Sequence, residues 1–366
     1  MPNRRQFLQA AAGTAGLLGL HASGLLAAAA TAADVPRADR PLKFLFLGGT
    51  GFIGPHQIEY ALARGHDVTM FNRGRRSGMY GDRVEELTGD RDVNVGDGLK
   101  ALAGDRTWDV IVDNSGYVPR HVRDAVDLLG GRCTRYVYVS TVAAYPDTPG
   151  HYREDAELAP LADKSIETVN GETYGPLKAE CDRIVQDVLG DRATIVRPTF
   201  IIGPGDRTDR FTYWVDRVHR GGDIVAPALA ELAVQTVDVR DLCPWIVRLG
   251  EAGTPGAFNA AGQTWTRAGL LWAIRADTGV ESTFHWCTPE VAAELEYPFP
   301  MLAWGETSTT FDNAASRAAG LDYRPLADST AATLAWWREQ PDERRANPRG
   351  WPDAELEGRA LARLGG

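Results

Sequence analysis

Tyr174 and Lys178 are residues whose types and spacing suit acid–base chemistry. A separation of four positions places both side chains on one face of a helix. A free phenol has a pKa of about 10, too high for a base at neutral pH. A fixed ammonium group nearby stabilises the phenolate and lowers that pKa. Pro176 is tolerated only in the first turn of a helix, so the helix is predicted to begin near Tyr174, at the mouth of a site.

A glycine-rich turn earlier in the chain is the second candidate for chemistry. Gly48, Gly51 and Gly54 lie between the apolar run 43–47 and the helical pattern 56–64. In this strand–turn–helix order, the three glycines would respectively allow a tight turn, let a diphosphate approach the backbone and let the helix pack closely. The amide N–H groups at the helix N-terminus would face the phosphates. A purely structural glycine turn is the alternative interpretation.

These motifs together resemble one protein family. The glycines follow the spacing G-x-x-G-x-x-G, and residues 197–205 follow the pattern R-P-x-x-x-x-G-P-G. With Tyr174 and Lys178 between them, the sequence resembles the extended short-chain dehydrogenase/reductase family, also called the NAD-dependent epimerase/dehydratase family, over about residues 41–340. The resemblance implies an α/β fold, with a Rossmann-type doubly wound parallel sheet and a smaller C-terminal α/β substrate domain.

The resemblance also implies a mechanism. Thr141, placed by its distance from Tyr145, takes the position of the family's catalytic Ser/Thr, although the neighbouring Ser140 stays open. Tyr174 is expected to remove a hydroxyl proton while the adjacent substrate carbon gives a hydride to a nicotinamide. Return of the hydride to the other face gives an epimerase, and elimination before return gives a dehydratase. The catalytic residues implied are Thr141, Tyr174 and Lys178.

The cofactor contacts are implied in the same way. Asp90 matches an acid that reaches the adenine edge, and the turn after strand 108–113 would pass under the phosphates and ribose. Asn114 and Tyr117 make that turn unusual for the family. The full set of expected cofactor contacts is Gly48, Gly51, Phe52, Ile53, Gly54, Asn72, Arg73, Asp90, Asn114, Ser115, Gly116, Tyr174, Lys178 and Pro198.

The end of the second predicted strand favours NADP over NAD. Asn72 stands where NAD-binding folds have an acid that accepts hydrogen bonds from the ribose. Arg73, Arg75 and Arg76 follow it, and guanidinium groups pair with a 2′-phosphate that an acid would repel. NAD remains possible, and a solvated basic loop is the alternative interpretation of the arginines.

The N-terminus is typical of an export signal. Arg4 and Arg5 form a twin-arginine motif, followed by a mildly apolar run, 10–30, and a small-residue cleavage pattern at 30–32. The run is a poor permanent membrane span because it contains glycines and His21. The protein is therefore expected in the periplasm or the medium, with no stable span after signal removal. Without a nicotinamide pool there, it should hold its cofactor tightly and favour redox-neutral chemistry.

The predicted domain boundaries follow from these motifs. The signal occupies 1–32. The NAD(P)-binding domain occupies 41–198, with 234–254 and 305–320 returning to it. The substrate-binding portion takes 199–233 and 255–340, and a charged tail takes 341–366. The segment 297–304 is predicted to be a loop that covers the site. The tail is expected either to form a homodimer contact or to pack back onto the chain.

Composition narrows the function classes. A formal net charge of −10 argues against nucleic acid as a partner, and four scattered cysteines suggest neither a metal site nor a disulfide framework. The expected partner is a small, carbohydrate-like substrate. Two alternatives stay open: an NADPH-dependent reductase of a ketone or enone, and a non-catalytic dinucleotide- or RNA-binding protein similar to the chloroplast stem-loop-binding relatives. The retained Thr141, Tyr174 and Lys178 argue against the latter.

Overall fold

A computed structural model describes residues 35–302 and 308–365 of the chain. Its strands are β1 (Lys43–Leu47), β2 (Asp67–Asn72), β3 (Glu85–Thr88), β4 (Trp108–Asp113), β5 (Cys133–Val139), β6 (Gly150–Tyr152), β7 (Ala193–Pro198), β8 (Phe200–Ile202), β9 (Gly222–Pro227), β10 (Ala233–Asp238), β11 (Gly256–Ala260), β12 (Thr264–Thr266), β13 (Ser282–Cys287) and β14 (Thr309–Phe311). Its α-helices are α1 (Ile53–Arg64), α2 (Pro119–Leu129), α3 (Tyr174–Leu189), α4 (Arg210–Arg220), α5 (Val239–Ala252), α6 (Arg267–Thr278), α7 (Pro289–Glu294), α8 (Ala314–Ala318), α9 (Leu326–Arg338), α10 (Asp342–Ala346) and α11 (Ala354–Leu364).

The large sheet has seven parallel strands in the order β11-β7-β5-β4-β1-β2-β3. The chain runs outward from β1 to β3 on one side and from β4 to β11 on the other. Open α/β sheets bind ligands at such a reversal, in the crevice beyond the carboxyl ends of the strands. The predicted doubly wound parallel sheet is confirmed, and its carboxyl edge between β1 and β4 is the place to look for a site.

Both faces of this sheet are covered by helices. Phe44 and Phe46 of β1 pack in one apolar cluster with α1 and α5, whereas Leu45 and Leu47 pack in a second cluster with α2 and α3. Successive side chains of a strand point to opposite faces, so a strand buried on both faces needs apolar residues at every position. This requirement explains the continuous apolar run that precedes the glycine turn.

A smaller portion beside the large sheet has its own core. It contains the three-stranded sheet β12-β10-β8 and the strand pairs β9–β13 and β6–β14. Phe211 and Trp214 of α4 are buried there with Leu270 and Ile274 of α6. The aromatic residues of α4 are therefore core residues.

The charged tail packs back onto this smaller portion. The Asp209 carboxylate is fully buried and accepts a hydrogen bond from the Arg349 amide at 2.9 Å, and the Trp351 indole donates to the Asp209 carbonyl at 3.0 Å. The Arg217 guanidinium donates to Glu357 of α11 at 2.8 Å. Of the two expectations for 341–366, packing back is the one observed.

The returning segments are divided between the two portions. Within 234–254, α5 packs against the large sheet, whereas β10 pairs with β8 and β12 of the small sheet. Within 308–320, β14 pairs with β6, and the Trp245 indole donates to the Ala319 carbonyl at 2.9 Å. Residues 305–307 lie outside the described residues.

One predicted boundary and one predicted loop position need correction. Strand β11 lies within the segment assigned to the substrate portion, yet it pairs with β7 and closes the large sheet, with Gly256 opposite Thr194. The segment 297–302 is a loop, as predicted, but it packs in the core of the smaller portion and not over the site: Tyr297 and Phe299 are buried, and the Trp214 indole donates to the Pro300 carbonyl at 2.6 Å. Apolar burial outweighs the proline-rich loop character of this segment.

Across 35–302 and 308–365, no helix is long and apolar enough to cross a membrane. The twin-arginine signal predicted for 1–32 falls outside the described residues.

Candidate functional site

The glycine turn follows β1 at the carboxyl edge of the sheet. Gly48 has a φ of +90°, and a Cβ there would lie 2.9 Å from Cβ of Ser115. A Cβ on Gly54 would lie 2.5 Å from the carbonyl carbon of Gly49, so this glycine permits close packing of α1 on the turn. A Cβ on Gly51 would meet nothing within 4 Å. Gly51 thus faces open space, where a ligand can approach the backbone.

The sequence interpretation missed Gly49. A Cβ at this position would lie 2.4 Å from Sδ of Met70 and 2.6 Å from Cδ1 of Ile58. Gly49 is therefore required by packing of the turn on the core beneath it. The signal was present in the doubled glycine, Gly48-Gly49, at the end of the strand.

Helix α1 begins at Ile53 after Phe52, without a side-chain cap or an acid in its first turn. The amide N–H groups of a first turn have no partner within the helix, and the helix dipole favours an anion there. His56 in this turn donates from Nε2 to the Pro204 carbonyl at 3.0 Å. Burial lowers the pKa of His56. The G-P-G part of the 197–205 motif is thereby held against α1.

The end of β2 carries an unpaired donor. Asn72 accepts a hydrogen bond through Oδ1 from the Gly74 amide at 2.6 Å, while its Nδ2 is buried with no partner among the described residues. Arg73 is exposed, whereas Arg76 donates to the Thr50 carbonyl in the glycine turn at 3.1 Å. Of the three arginines expected to favour NADP, Arg76 is therefore the one that is hydrogen-bonded to the glycine turn.

The turn after β4 lies directly against the glycine turn. Asn114 and Gln57 exchange amide hydrogen bonds of 2.6 and 3.1 Å, and the Ser115 hydroxyl donates to the Leu47 carbonyl at 3.1 Å. These contacts join the two turns on either side of the strand-order reversal. The side chains of Asn114 and Ser115 thus both form hydrogen bonds within the protein.

A buried ion pair supports this turn from below. The Asp113 carboxylate is fully buried and accepts hydrogen bonds from Arg91 at 2.7 Å, from the Tyr136 hydroxyl at 2.8 Å and from the Ser115 amide at 3.0 Å. The Arg91 guanidinium lowers the pKa of Asp113 against the opposing effect of burial. Asp90, the expected adenine contact, lies next to Arg91 and accepts from the Asp92 amide at 2.9 Å.

Tyr174, Thr141 and Lys178 meet at the same edge of the sheet. Helix α3 begins at Tyr174, as Pro176 predicted. Burial raises the pKa of Tyr174 and the Thr141 hydroxyl opposes that rise, whereas burial raises the pKa of Asp182 and the Ser140 hydroxyl opposes it. A Cβ on Gly175 would lie 2.2 Å from the Ala143 carbonyl oxygen, so the start of α3 packs on the segment that follows β5, and the Tyr174 ring lies 6.3 Å from that of Tyr117 in the turn after β4. The role of Thr141 beside the phenol stays a prediction.

The Lys178 ammonium donates all of its hydrogen bonds to other groups of the protein. Its ammonium donates to the Gly116 carbonyl at 2.7 Å, the Tyr138 hydroxyl at 2.6 Å and the Val139 carbonyl at 2.8 Å. These three acceptors use all of its donors. Burial lowers the pKa of Lys178 to about 8. Tyr117 and Tyr138 also face the ammonium, which lies 5.2 and 4.2 Å from their ring centroids.

The phenol of Tyr174 is not activated by the protein alone. Burial, with a smaller contribution from the nearby Tyr117, raises the pKa of Tyr174 to about 12 against the lowering effects of Thr141 and Arg210. The expectation that Lys178 lowers this pKa included the charge of an oxidised nicotinamide. The lowering of the Tyr174 pKa by a bound nicotinamide stays a prediction.

Pro198, the last expected contact, ends β7 and is buried. Its neighbour Arg197 donates to Asp182 of α3 and to the Tyr145 hydroxyl, each at 2.8 Å, and Tyr145 donates to Asn259 of β11 at 2.8 Å. Burial raises the pKa of Asp182. This buried network fixes the strand ends that surround the candidate site.

Other candidate features lie elsewhere. A cavity of about 560 Å³ is found at the amino-terminal edge of the sheet, lined in part by His66, Asp105 and Arg106. It is thus separated from the carboxyl edge by the length of the strands. In the part of the chain that the structure describes, no group of three or more His, Cys, Asp or Glu residues is placed to hold a metal ion.

The acids of the smaller portion have partners of their own. Asp238 caps α5 by accepting from the Arg240 amide at 2.8 Å, and its other oxygen accepts from the Arg240 guanidinium at 2.8 Å and from the Ser329 hydroxyl at 2.6 Å. These bonds agree with a role in fixing α5. Asp238 and Arg240 thus form an ion pair with each other.

Comparisons with known proteins agree with this geometry. Residues 105–261 match the model of the NAD dependent epimerase/dehydratase family. One curated relative, chloroplast stem-loop binding protein of 41 kDa b from Arabidopsis thaliana, is 25% identical over 243 residues. That match covers 61% of this chain and 59% of the relative, so less than two thirds of the relative's length is matched.

Solved structures share the fold. The UDP-glucuronic acid 4-epimerase of Bacillus cereus, in complex with NAD, superposes with a TM-score of 0.61 at 15% identity, over 80% of this chain and 96% of the other. The dTDP-glucose 4,6-dehydratase of Bacillus anthracis, also with NAD, gives 0.61 at 18% identity, over 81% and 97%. Residues 105–261 thus match the epimerase/dehydratase family, within a fold shared with NAD-bound sugar epimerases and dehydratases.

Proposed function

We propose that this protein is a nicotinamide-dinucleotide-dependent epimerase or dehydratase of the extended short-chain dehydrogenase/reductase family. Its substrate would be a sugar or a sugar-like polyol, with Tyr174 as general base. The observation that carries this proposal is that Tyr174 and Lys178 lie against the turns that follow β4 and β5, where Thr141 is found, on the sheet edge that also bears the open glycine turn. The family match over residues 105–261 supports it.

The residues present fit a dinucleotide. The open space at Gly51 and the uncapped first turn of α1 suit a diphosphate. The buried Nδ2 of Asn72 is a donor without a partner among the described residues, and a ribose hydroxyl or a 2′-phosphate oxygen would satisfy it. When bound, the oxidised dinucleotide would supply a hydride acceptor and a positive charge.

The preference for NADP remains part of the proposal. The absence of an acid at Asn72 and the contact between Arg76 and the glycine turn support it, since a guanidinium group can pair with a 2′-phosphate. The structural neighbours named above contain NAD, which is the alternative cofactor.

The chain's own residues would divide the proton chemistry. Tyr174 would take the proton of a substrate hydroxyl through its phenolic oxygen and return it later. Thr141 would orient that hydroxyl by hydrogen bonding. Because burial raises the pKa of Tyr174 to about 12, added positive charge is needed for the phenolate, and Arg210 contributes part of it. Lys178 would act as a fixed buried charge that also holds the turn at Gly116.

The activity test uses the purified full chain with NAD or NADP and a panel of nucleotide sugars. Epimerised or dehydrated product should form without net change in the absorbance of the reduced cofactor. Tyr174→Phe should lower turnover by about 100-fold or more while dinucleotide binding persists. Full turnover by this variant would contradict the proposed base.

Two other functions make different predictions. The NADPH-dependent reductase is favoured by the basic segment after Asn72, and it would consume added NADPH in proportion to product. A non-catalytic dinucleotide- or RNA-binding role is suggested by the stem-loop binding relative. In that case Tyr174→Phe would leave the biological activity intact. The net charge of −10 argues against a nucleic-acid partner.

Export by the twin-arginine pathway is also a proposal, supported by Arg4 and Arg5 and the apolar run that follows. A reporter fused to residues 1–40 should leave the cytoplasm. Replacing both arginines with lysine should keep it inside. Retention of the unmodified fusion would remove the argument for redox-neutral chemistry and strengthen the reductase alternative. A homodimer is likewise proposed, and light scattering of the purified chain would test it.

A further inference from the structure

The segment 162–173, called the rim segment below, leads directly into Tyr174. It follows the buried Leu161 and ends where α3 begins. Most of its residues are exposed, and part of its own hydrogen bonding is local, as in the bond from the Thr173 amide to Asn170 at 3.0 Å. Its position therefore depends strongly on what ties it to the rest of the molecule.

Two ion pairs between described residues involve the rim segment. Lys164 pairs with Glu180 at 2.9 Å, which ties the segment to its own helix α3. Glu167 pairs with Arg120 at 2.7 Å, which ties it across to the first turn of α2. The second pair is the one that crosses between elements.

Arg120 holds two carboxylates at once. Its Nη1 and Nη2 donate to the two oxygens of Asp92 at 2.8 and 3.0 Å, and its Nε and Nη2 donate to those of Glu167 at 2.7 and 2.9 Å. Such paired donation requires the planar fork of a guanidinium group. Asp92 lies two residues after Asp90, the expected adenine contact. Arg120 therefore connects the loop after β3 to the rim segment.

Exposed apolar side chains lie near this connection in the sequence. Val93 and Val95 follow Asp92, Val169 follows Glu167 by two positions, and Tyr117 lies just before α2; each is about half exposed, at 45–51%. Exposed apolar area on these segments is area that a bound ligand would cover favourably. The flat rings of a dinucleotide have the chemistry to do so.

We propose that Arg120 fastens the rim segment over the bound dinucleotide and slows its release. This inference rests on the proposed function, because the dinucleotide is the ligand to be retained. A dinucleotide that reached from the expected adenine contact at Asp90 to Tyr174 would lie beside both elements that Arg120 joins. Its departure would require the Glu167 contact to open. Slow release also suits an exported enzyme that has no cofactor pool to draw on.

The test is the dissociation rate of a reduced dinucleotide. The full-length protein is loaded with NADH or NADPH and mixed with excess oxidised cofactor, and the loss of bound-nicotinamide fluorescence is followed. Glu167→Gln removes the rim contact and leaves the Arg120–Asp92 pair, and Arg120→Gln removes both. The matched control is Arg106→Gln, which breaks an exposed ion pair with Glu85 at the opposite edge of the sheet.

We expect Glu167→Gln and Arg120→Gln to release the dinucleotide about tenfold faster than the wild type, because several charge-assisted hydrogen bonds act together. Arg106→Gln should match the wild type. A wild-type rate in Glu167→Gln would overturn the proposal, and because Glu167 is exposed this variant decides even if Arg120→Gln does not fold. If the wild type binds neither NADH nor NADPH, the proposed function fails with it.

Discussion

The Lys178 ammonium lies 2.6 Å from the Tyr138 hydroxyl, and this contact joins α3 to β5 beneath the candidate site. The same hydroxyl donates to the Gly116 carbonyl at 2.7 Å, which also accepts from Lys178. The three groups form a closed, buried hydrogen-bonded unit. Lys178 thus holds the turn after β4 in place, and any effect it has on Tyr174 acts through its charge and not through a shared hydrogen bond.

Tyr138→Phe should weaken this unit. The substitution leaves Lys178 with one buried donor unpaired and removes a donor to Gly116. Leaving a buried polar group unsatisfied costs about 1–3 kcal/mol, so the free energy of unfolding should fall by that amount. Urea denaturation followed by circular dichroism measures it. An unchanged midpoint would show that the lysine finds another partner.

The pH dependence of stability should carry the signature of Lys178. Burial lowers its pKa from 10.5 to about 8, so between these values the unfolded chain binds a proton that the native chain does not. The free energy of unfolding should therefore rise with pH across this window because of this residue. Other groups titrate nearby, so the comparison is with Lys178→Met: the wild type should gain stability relative to the variant from pH 8 to 10. A constant difference would contradict the lowered pKa.

Two alanine substitutions distinguish a glycine turn that binds a ligand from one that serves only the packing of the fold. A Cβ on Gly51 meets nothing within 4 Å, so Gly51→Ala should leave the free energy of unfolding nearly unchanged while weakening dinucleotide binding. A Cβ on Gly54 would lie 2.5 Å from the Gly49 backbone, so Gly54→Ala should destabilise the fold by about 1–3 kcal/mol. Denaturation and fluorescence titration of both variants measure the two effects. Normal dinucleotide affinity in Gly51→Ala would support the structural-turn interpretation.

Cofactor choice should change with Asn72→Asp. The new carboxylate would repel a 2′-phosphate and accept hydrogen bonds from a ribose, so the dissociation constant for NADP should rise about tenfold or more while that for NAD stays similar or falls. Arg76→Ala should also weaken NADP binding, with the exposed Arg75→Ala as the control. Equal losses for the two dinucleotides would indicate general damage to the turn.

Local patterns predicted much of this fold. The apolar run before Gly48 requires a strand buried on both faces, and Pro176 requires a helix that begins near Tyr174; the structure shows both. The place of β11 in the large sheet could not be predicted from the sequence. Its pairing with β7 joins residues about 60 positions apart and leaves no periodic pattern.

The charged contacts around the site could not be predicted from the sequence either. Arg91 and Asp113 are separated by 22 positions, and Arg120 and Glu167 by 47, so only the fold reveals that they meet. Single surface arginines and acids are common in any sequence. The motif residues, by contrast, could be recognised from their spacing, because the glycines lie within one turn and the Tyr–Lys pair lies within one helix.

The central claim is that the sheet edge around Gly51 and Tyr174 binds a nicotinamide dinucleotide. Native mass spectrometry of the purified, folded chain tests it most directly, before and after addition of NAD or NADP. We predict one dinucleotide per chain, retained from purification or taken up on addition, and reduced uptake in Gly51→Ala. A folded chain that carries neither dinucleotide and binds neither when it is added would contradict the claim.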